Sequence, residues 1–261
     1  MITSLQNPRV KWLQQLAKPK LRKQESLFVI EGLRELKLAV EAGYEIAEVF
    51  YSGQLINPAD IHQLLPAANE CIELAPHVFS KLVYRESSDG VIAVASMKDF
   101  RLSNIVLPKK PFILVVESVE KPGNLGAILR TADAARVDAV IVADPHTDIF
   151  NANVVRSSLG TLFTCSIAIA SNLEVFHFLQ SKSCNIYAAA LTAEAFYHET
   201  DLTDACAVVM GSEAFGLSEF WLNHCTLQIK IPMRGKVDSL NVSVSTAVIC
   251  FEAMRQREFK P

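Results

Sequence analysis

Residues 111–144 read PFILVVESVEKPGNLGAILRTADAARVDAVIVAD, and this stretch decides the fold. Phe112–Val116 is an apolar run short enough for a strand buried on both faces. A polar loop leads to Pro122-Gly123-Asn124, after which Leu125, Ile128, Leu129 and Ala132 recur at helical spacing. Ala139–Ala143 is a second apolar run, ended by Asp144-Pro145. Strand, glycine loop, helix and strand make a βαβ unit. Ligands of such units sit beyond the carboxyl ends of the strands. That singles out Asn124 in the loop and Arg130 in the helix behind it.

Downstream, the pattern predicts a short helix over Asn151–Ser158 closed by Gly160, and a helix over Leu173–Gln180. Strands follow at Ile186–Leu191, Ala205–Met210 and Leu227–Ile231, with Ser218 placed to cap the helix between the last two. The final helix, Val242–Arg257, is expected to turn Val244, Val248, Phe251 and Met254 to the core. Upstream, helices over Leu5–Leu16, Leu33–Ala42, Pro58–Leu65 and Pro76–Val83 alternate with strands at Leu27–Ile30, Ile46–Tyr51, Cys71–Leu74 and Val91–Ser96. The reading is therefore α/β throughout: a small domain over 1–97, a polar linker over 98–110, and a second domain over 111–261.

Half of the 261 residues are hydrophobic and 20% are charged, enough to bury a full core. No apolar run approaches the roughly 20 residues of a membrane helix, and the first residues lack the apolar core of a signal peptide. A soluble cytoplasmic protein with no membrane partner is the expectation. Six cysteines stand singly, without a C-x-x-C pair, and six histidines form no H-x-x-x-H spacing, so no metal site is expected. The net charge of −3 argues against a generic polyanion binder. Residues 1–26 nevertheless carry Arg9, Lys11, Lys18, Lys20, Arg22 and Lys23 against a single acid, Glu25. Such a basic arm suits a nucleic-acid contact, and equally a solvated helix face.

Three loops share one grammar of strand, glycine-containing turn and helix: Glu117–Asn124, Gly211–Gly216 and Pro232–Asn241. In a parallel sheet all three emerge at one end and converge. Their tips supply Asn124, then Ser212 with Glu213, then Ser239 with Asn241. Taken singly, each has a plain structural alternative: the glycines as turn formers, Ser239 or Asn241 as helix caps, Glu213 as a solvated acid, Arg130 in a salt bridge to Asp133 or Glu117. The strands carry no G-x-G-x-x-G, no P-loop and no G-x-S-x-G elbow. This disfavours a dehydrogenase on an ordinary dinucleotide-binding sheet.

Together the loops resemble the three motifs of the SpoU-type RNA ribose methyltransferases of the SPOUT superfamily. The first is GNLGAILRTADA, with Asn124 and Arg130; the second is VVMGSEAFGL, with Glu213; the third is IKIPMRGKVDSLNVSVSTA, with Ser239 and Asn241. The match runs from about Phe112 to Arg257. Ala214 departs from it, standing where many members have glycine. NPRVKWL and LFVIEGLRELKLA resemble the family's small RNA-binding domain, similar to a ribosomal-protein (L30e-like) fold.

The resemblance implies a parallel sheet with a deep trefoil knot, an exception to the rule against threaded chains. It implies S-adenosylmethionine as cofactor, held by Gly211, Ile231 and Leu240 with Leu191 and Thr192. It implies catalytic roles for Asn124, Arg130, Glu213, Ser239 and Asn241, and a homodimer with the last helix in the interface. The reaction implied is methylation of a ribose 2′-hydroxyl in RNA. Ribosomal RNA is preferred to transfer RNA, and Arg9, Lys11, Lys20, Arg22 and Lys23 are the RNA-binding candidates. The competing reading is a non-catalytic RNA-binding module that kept the knot.

Overall fold

The computed structural model describes residues 1–65, 70–84 and 88–259. The chain divides into two compact units, Met1–Asp99 with Asp148–Thr164, and Phe100–Thr147 with Cys165–Pro261.

In the first unit, Asn7 caps α1 (Pro8–Gln15) by accepting from the Arg9 N–H, and Pro8 takes the first helical position, where no N–H is needed. A second helix, α2 (Pro19–Glu25), forms inside the expected basic arm and ends on Ser26 in the left-handed region. Then come β1 (Leu27–Glu31), α3 (Leu33–Glu41), β2 (Ile46–Tyr51), α4 (Pro58–Leu64), β3 (Cys71–Glu73), α5 (Pro76–Phe79) and β4 (Val91–Ser96). The sheet order is β1-β4-β2-β3, antiparallel except between β2 and β3. Side chains alternate across it. Phe50, Ile92 and Val94 join Val10, Leu13, Val78 and Phe79 in one cluster, while Phe28 meets Phe150, Phe163 and Tyr44.

The second unit opens with β5 (Phe112–Glu117), α6 (Pro122–Ala134) and β6 (Ala139–Ala143). The next helices, α7 (Ala152–Ser158) and α8 (Thr161–Thr164), pack with the first unit. The expected 111–261 domain is thus interrupted in packing by residues 148–164. Apolar matching takes the two helices elsewhere: the Phe150 ring lies 4.5 Å from Phe28, and Phe163 lies 5.0 Å from Tyr44.

Arg22 is decided by the same segment. Expected to bind RNA, it is 1% exposed. Its guanidinium donates to Asp148 at 3.0 and 2.6 Å and to the carbonyls of Leu16 and Ala17 at 2.9 and 2.6 Å. With its donors spent inside the unit it is a structural arginine, which corrects the expectation.

The chain continues through β7 (Ile167–Ala170), α9 (Asn172–Ser181), β8 (Asn185–Ala189), β9 (Ala195–Phe196), β10 (Cys206–Met210), α10 (Glu219–His224), β11 (Leu227–Lys230) and α11 (Val242–Gln256). The sheet runs β7-β6-β5-β10-β8-β11-β9, and every pairing is parallel. The runs FILVVE, AVIVA and CAVVM are buried along their whole length, as strands covered on both faces must be. The short elements α8, β7 and β9 have no sequence pattern strong enough to announce them.

Two expectations are corrected here. Ser218 occupies the N-cap position of α10 but makes no side-chain cap bond. Its hydroxyl donates instead to the buried Glu117 carboxylate at 2.6 Å, which also accepts from the Ser218 N–H and from Asn172. The core face of α11 is Val242, Thr246, Ile249, Cys250 and Ala253, while Val244 and Phe251 are 47% and 45% exposed. Both faces of this helix are apolar, so periodicity alone could not choose the one that packs inward.

Candidate active site

Because β5, β10 and β11 run parallel, their carboxyl ends share one edge of the sheet, and the three loops begin there. In the first loop the Thr147 hydroxyl donates to the Glu120 carbonyl, and α6 starts at Pro122, which presents Asn124 in its first turn. In the second, residues 212–216 form a tight turn. Ser212 N–H donates to the Gly216 carbonyl at 2.9 Å, and Gly216 N–H to the Ser212 carbonyl at 3.0 Å. Gly216 sits at φ +69, the left-handed conformation glycine adopts without strain. In the third, Asn241 caps α11 by accepting from Ser243 N–H at 3.0 Å.

The loop tips meet in a hydrogen-bonded chain. Asn241 Nδ2 donates to Asn124 Oδ1 at 3.2 Å, and Asn124 Nδ2 donates to Glu213 Oε1. Asn241 needs an acceptor for the cap and a donor for Asn124, a combination that a carboxamide offers and a carboxylate does not. Glu213 Oε2 is buried and has no hydrogen-bond partner among the described residues. A buried acceptor in that state carries a desolvation penalty that a ligand donor would relieve.

The cluster borders a cavity of about 630 Å³, within the range of small-molecule sites. Leu191, Thr192, Gly211, Ile231 and Leu240, all five expected cofactor contacts, line it, as do Glu213, Ser239 and Asn241. At Gly211 the backbone of Gly216 and Leu217 packs so closely that a Cβ would lie 2.2–2.4 Å from it. Apolar walls, close-set backbone and one unpartnered carboxylate oxygen fit a nucleoside-type ligand that carries a positive charge.

Two candidates lie outside the hydrogen-bonded chain, Ser239 on the cavity wall and Arg130 away from it. Ser239 is exposed and its hydroxyl donates to Asp238 at 3.1 Å; the cap of α11 is Asn241. Arg130 is exposed on α6 and does not line the cavity. Six residues beyond Asn124, it is displaced by about 9 Å along the helix and about 240° around it. It has no ion-pair partner among the described residues, and Glu117 is already committed to Ser218 and Asn172. Lys121 and Phe215 line the cavity although no sequence motif singles them out. Their one available signal is position, beside Pro122 and Gly216.

Of the basic arm, Lys11, Lys20 and Lys23 are exposed, and Arg9 pairs with Glu70 at 2.6 Å. Among the described residues no group of three or more His, Cys, Asp or Glu side chains could hold a metal ion.

A parallel sheet whose loops close three polar tips over one cavity defines an α/β enzyme with its site at the carboxyl edge. Residues 111–251 match the SpoU rRNA methylase family, and residues 7–93 match the MRM3-like substrate binding domain. The chain belongs to the SpoU rRNA methylase family.

Among its relatives, a 23S rRNA (guanosine(2553)-2′-O)-methyltransferase of Bacillus subtilis is 29% identical over 96% of this chain and 97% of its own. A crystal structure of an RNA 2′-O ribose methyltransferase superposes with a TM-score of 0.87 at 39% identity, covering 98% of this chain and 99% of that one. The SpoU methyltransferase AviRb from Streptomyces viridochromogenes, solved with AdoMet, gives 0.89 at 28%, covering 98% and 100%.

Proposed function

We propose that this protein is an enzyme that methylates a ribose 2′-hydroxyl of ribosomal RNA with S-adenosylmethionine as methyl donor. The observation that carries the reading is the Asn241–Asn124–Glu213 chain, which borders the cofactor-sized cavity with one carboxylate oxygen unpartnered. Bound S-adenosylmethionine supplies an electrophilic sulfonium methyl. The protein's part is to align the ribose oxygen, exclude water and help remove a proton.

In this reading Leu191, Ile231 and Leu240 form the apolar wall for the cofactor, with Thr192 and the Gly211 backbone as close contacts. Glu213 Oε2 accepts from the ribose hydroxyl and orients it, while Asn124 and Asn241 hold the carboxylate. Ser239 sits at the same corner and contacts the ribose once RNA is bound. Arg130 serves as a phosphate anchor. As a general base it would cost about 7–9 kcal/mol to deprotonate at pH 7, given a pKa of about 12.5–13.8.

The enzyme acts as a homodimer through the outer face of α11, where Val244 and Phe251 are exposed. Arg130 then works in a site shared between two subunits. The trefoil knot belongs to the same reading; family membership and the strand order β10-β8-β11 support it. The N-terminal module, which matches a substrate-binding domain, presents Lys11, Lys20 and Lys23 to RNA, and an L30e-like fold for it belongs to the same reading. A cytoplasmic location belongs to the same reading.

The test is incubation with S-[methyl-³H]adenosylmethionine and total RNA from cells lacking the protein, followed by mapping of ribose methylation. The expected result is label at a 2′-oxygen of ribosomal RNA. Label on a base, or none, would overturn the proposal.

A further inference from the structure

Phe215 is 86% exposed, yet its backbone is held firmly. Its N–H donates to Ser212 Oγ at 3.1 Å, inside the turn closed by the two Ser212–Gly216 bonds and backed by Gly211. The ring lines the same cavity as Glu213, two residues away. Lys121 lines that cavity from the neighbouring loop, exposed and without an ion-pair partner among the described residues. A rigidly mounted aromatic and a free ammonium on one cavity are the chemistry that takes an unpaired nucleotide: a π-face for the base and a point charge for the phosphate.

We propose that Phe215 and Lys121 form the subsite for the target nucleotide, the base stacking on the Phe215 ring and its phosphate pairing with Lys121. The subsite rests on the RNA-methylation reading. The Cα atoms of Phe215 and Glu213 are at most about 7 Å apart along the chain and both residues line the one cavity, so the base and the ribose of a single nucleotide are assigned to them. Only a base drawn out of its helix can stack there, which selects a loop or bulge over duplex.

The experiment compares the unchanged full chain with Phe215→Ala, Phe215→Tyr and Lys121→Gln. It uses steady-state methylation at varied RNA concentration, calorimetry with S-adenosylmethionine and sedimentation. Phe215→Ala is expected to raise the KM for RNA about 5- to 150-fold and leave cofactor affinity within about threefold, and Tyr is expected to restore it. Lys121→Gln is expected to make the salt dependence of RNA binding shallower by about 0.7 in the log–log slope. An unchanged KM in Phe215→Ala overturns the subsite. So does a KM rise matched by an equal loss of cofactor affinity, which would make the ring a cofactor wall, or a change of oligomeric state. If the unchanged protein labels no RNA, the methyl-transfer reading fails by itself, and fluorescence anisotropy with RNA and the same variants still decides the subsite.

Discussion

Gly211 and Gly123 both lie in sequence motifs, and the structure gives alanine opposite consequences at the two positions. A Cβ on Gly211 would stand 2.2 Å from the Gly216 carbonyl carbon, 2.3 Å from its oxygen and 2.4 Å from Leu217 N. Carbon atoms in good contact sit about 3.5–4.0 Å apart, so residues 216–217 must retreat by more than about 1 Å. The obstructing atoms are all backbone, so no side chain can swing aside. They also close the turn that carries Glu213. Overpacking of this kind costs about 1–3 kcal/mol, and a displacement of about 1 Å at a reacting group costs about 10²-fold in rate. Gly211→Ala is therefore expected to lose about 100-fold in kcat and to weaken cofactor binding. Gly123, in the first turn of α6 with nothing within 4 Å of its Cβ position and no positive φ, should accept alanine and gain up to about 1 kcal/mol. The assays are methyl transfer, calorimetry with S-adenosylmethionine and urea unfolding. A Gly211→Ala enzyme with normal turnover and affinity, or a Gly123→Ala enzyme that is the worse of the two, would show that the close approach at Gly211 does not matter.

Arg130→Lys should lose most turnover and keep cofactor affinity, because the side chain lies outside the cavity wall; an unchanged kcat removes its assigned role. Phe251→Asp places a charge on the exposed apolar face of α11 and should shift a dimer to monomer in sedimentation; a dimer as tight as before moves the interface elsewhere. Asp148→Asn deprives a guanidinium that is 1% exposed of its counter-charge. It should cost the first unit about 3–5 kcal/mol, read by hydrogen exchange across β1, and a loss below about 1 kcal/mol would contradict this. Burial pushes the Cys206 thiol up to about 11 and Cys250 up to about 12, from an ordinary value of 9.0. Above pH 9 the unfolded thiols ionise while the folded ones keep their protons. Stability present below pH 9 is then lost as pH rises toward 11–12, so the urea midpoint should fall from pH 8 to 10, and a flat midpoint would tell against it.

Long apolar runs and loop chemistry are legible in the linear chain. Strands β2, β4 and β6 fall on the residues their patterns name, and β5 extends its run by one; in β5 and β6 this is because a strand buried on both faces leaves an unbroken apolar signature. The loops are legible because a strand-to-helix turn in a parallel sheet needs glycine, proline and a capping residue in a narrow window. Of the shortest elements, β9 and α8 carry no period and stay hidden.

Arg22 shows where local reading stops. Among Lys18, Lys20 and Lys23 it has the same local charge character, and its counter-charge in the interior is Asp148, 126 positions away. Likewise α11 is apolar on two sides, and packing against α6 within the second unit determined which side is core. The linear sequence by itself determined the α/β class, the loop grammar and the chemical identity of the candidate groups, since these depend on neighbours along the chain. Tertiary structure alone decided that Asn124, Glu213 and Asn241 are bonded to one another, that Arg130 is not among them, and that residues 148–164 pack with the first unit. Those outcomes depend on contacts between residues far apart in the chain, whose partners no local pattern can specify.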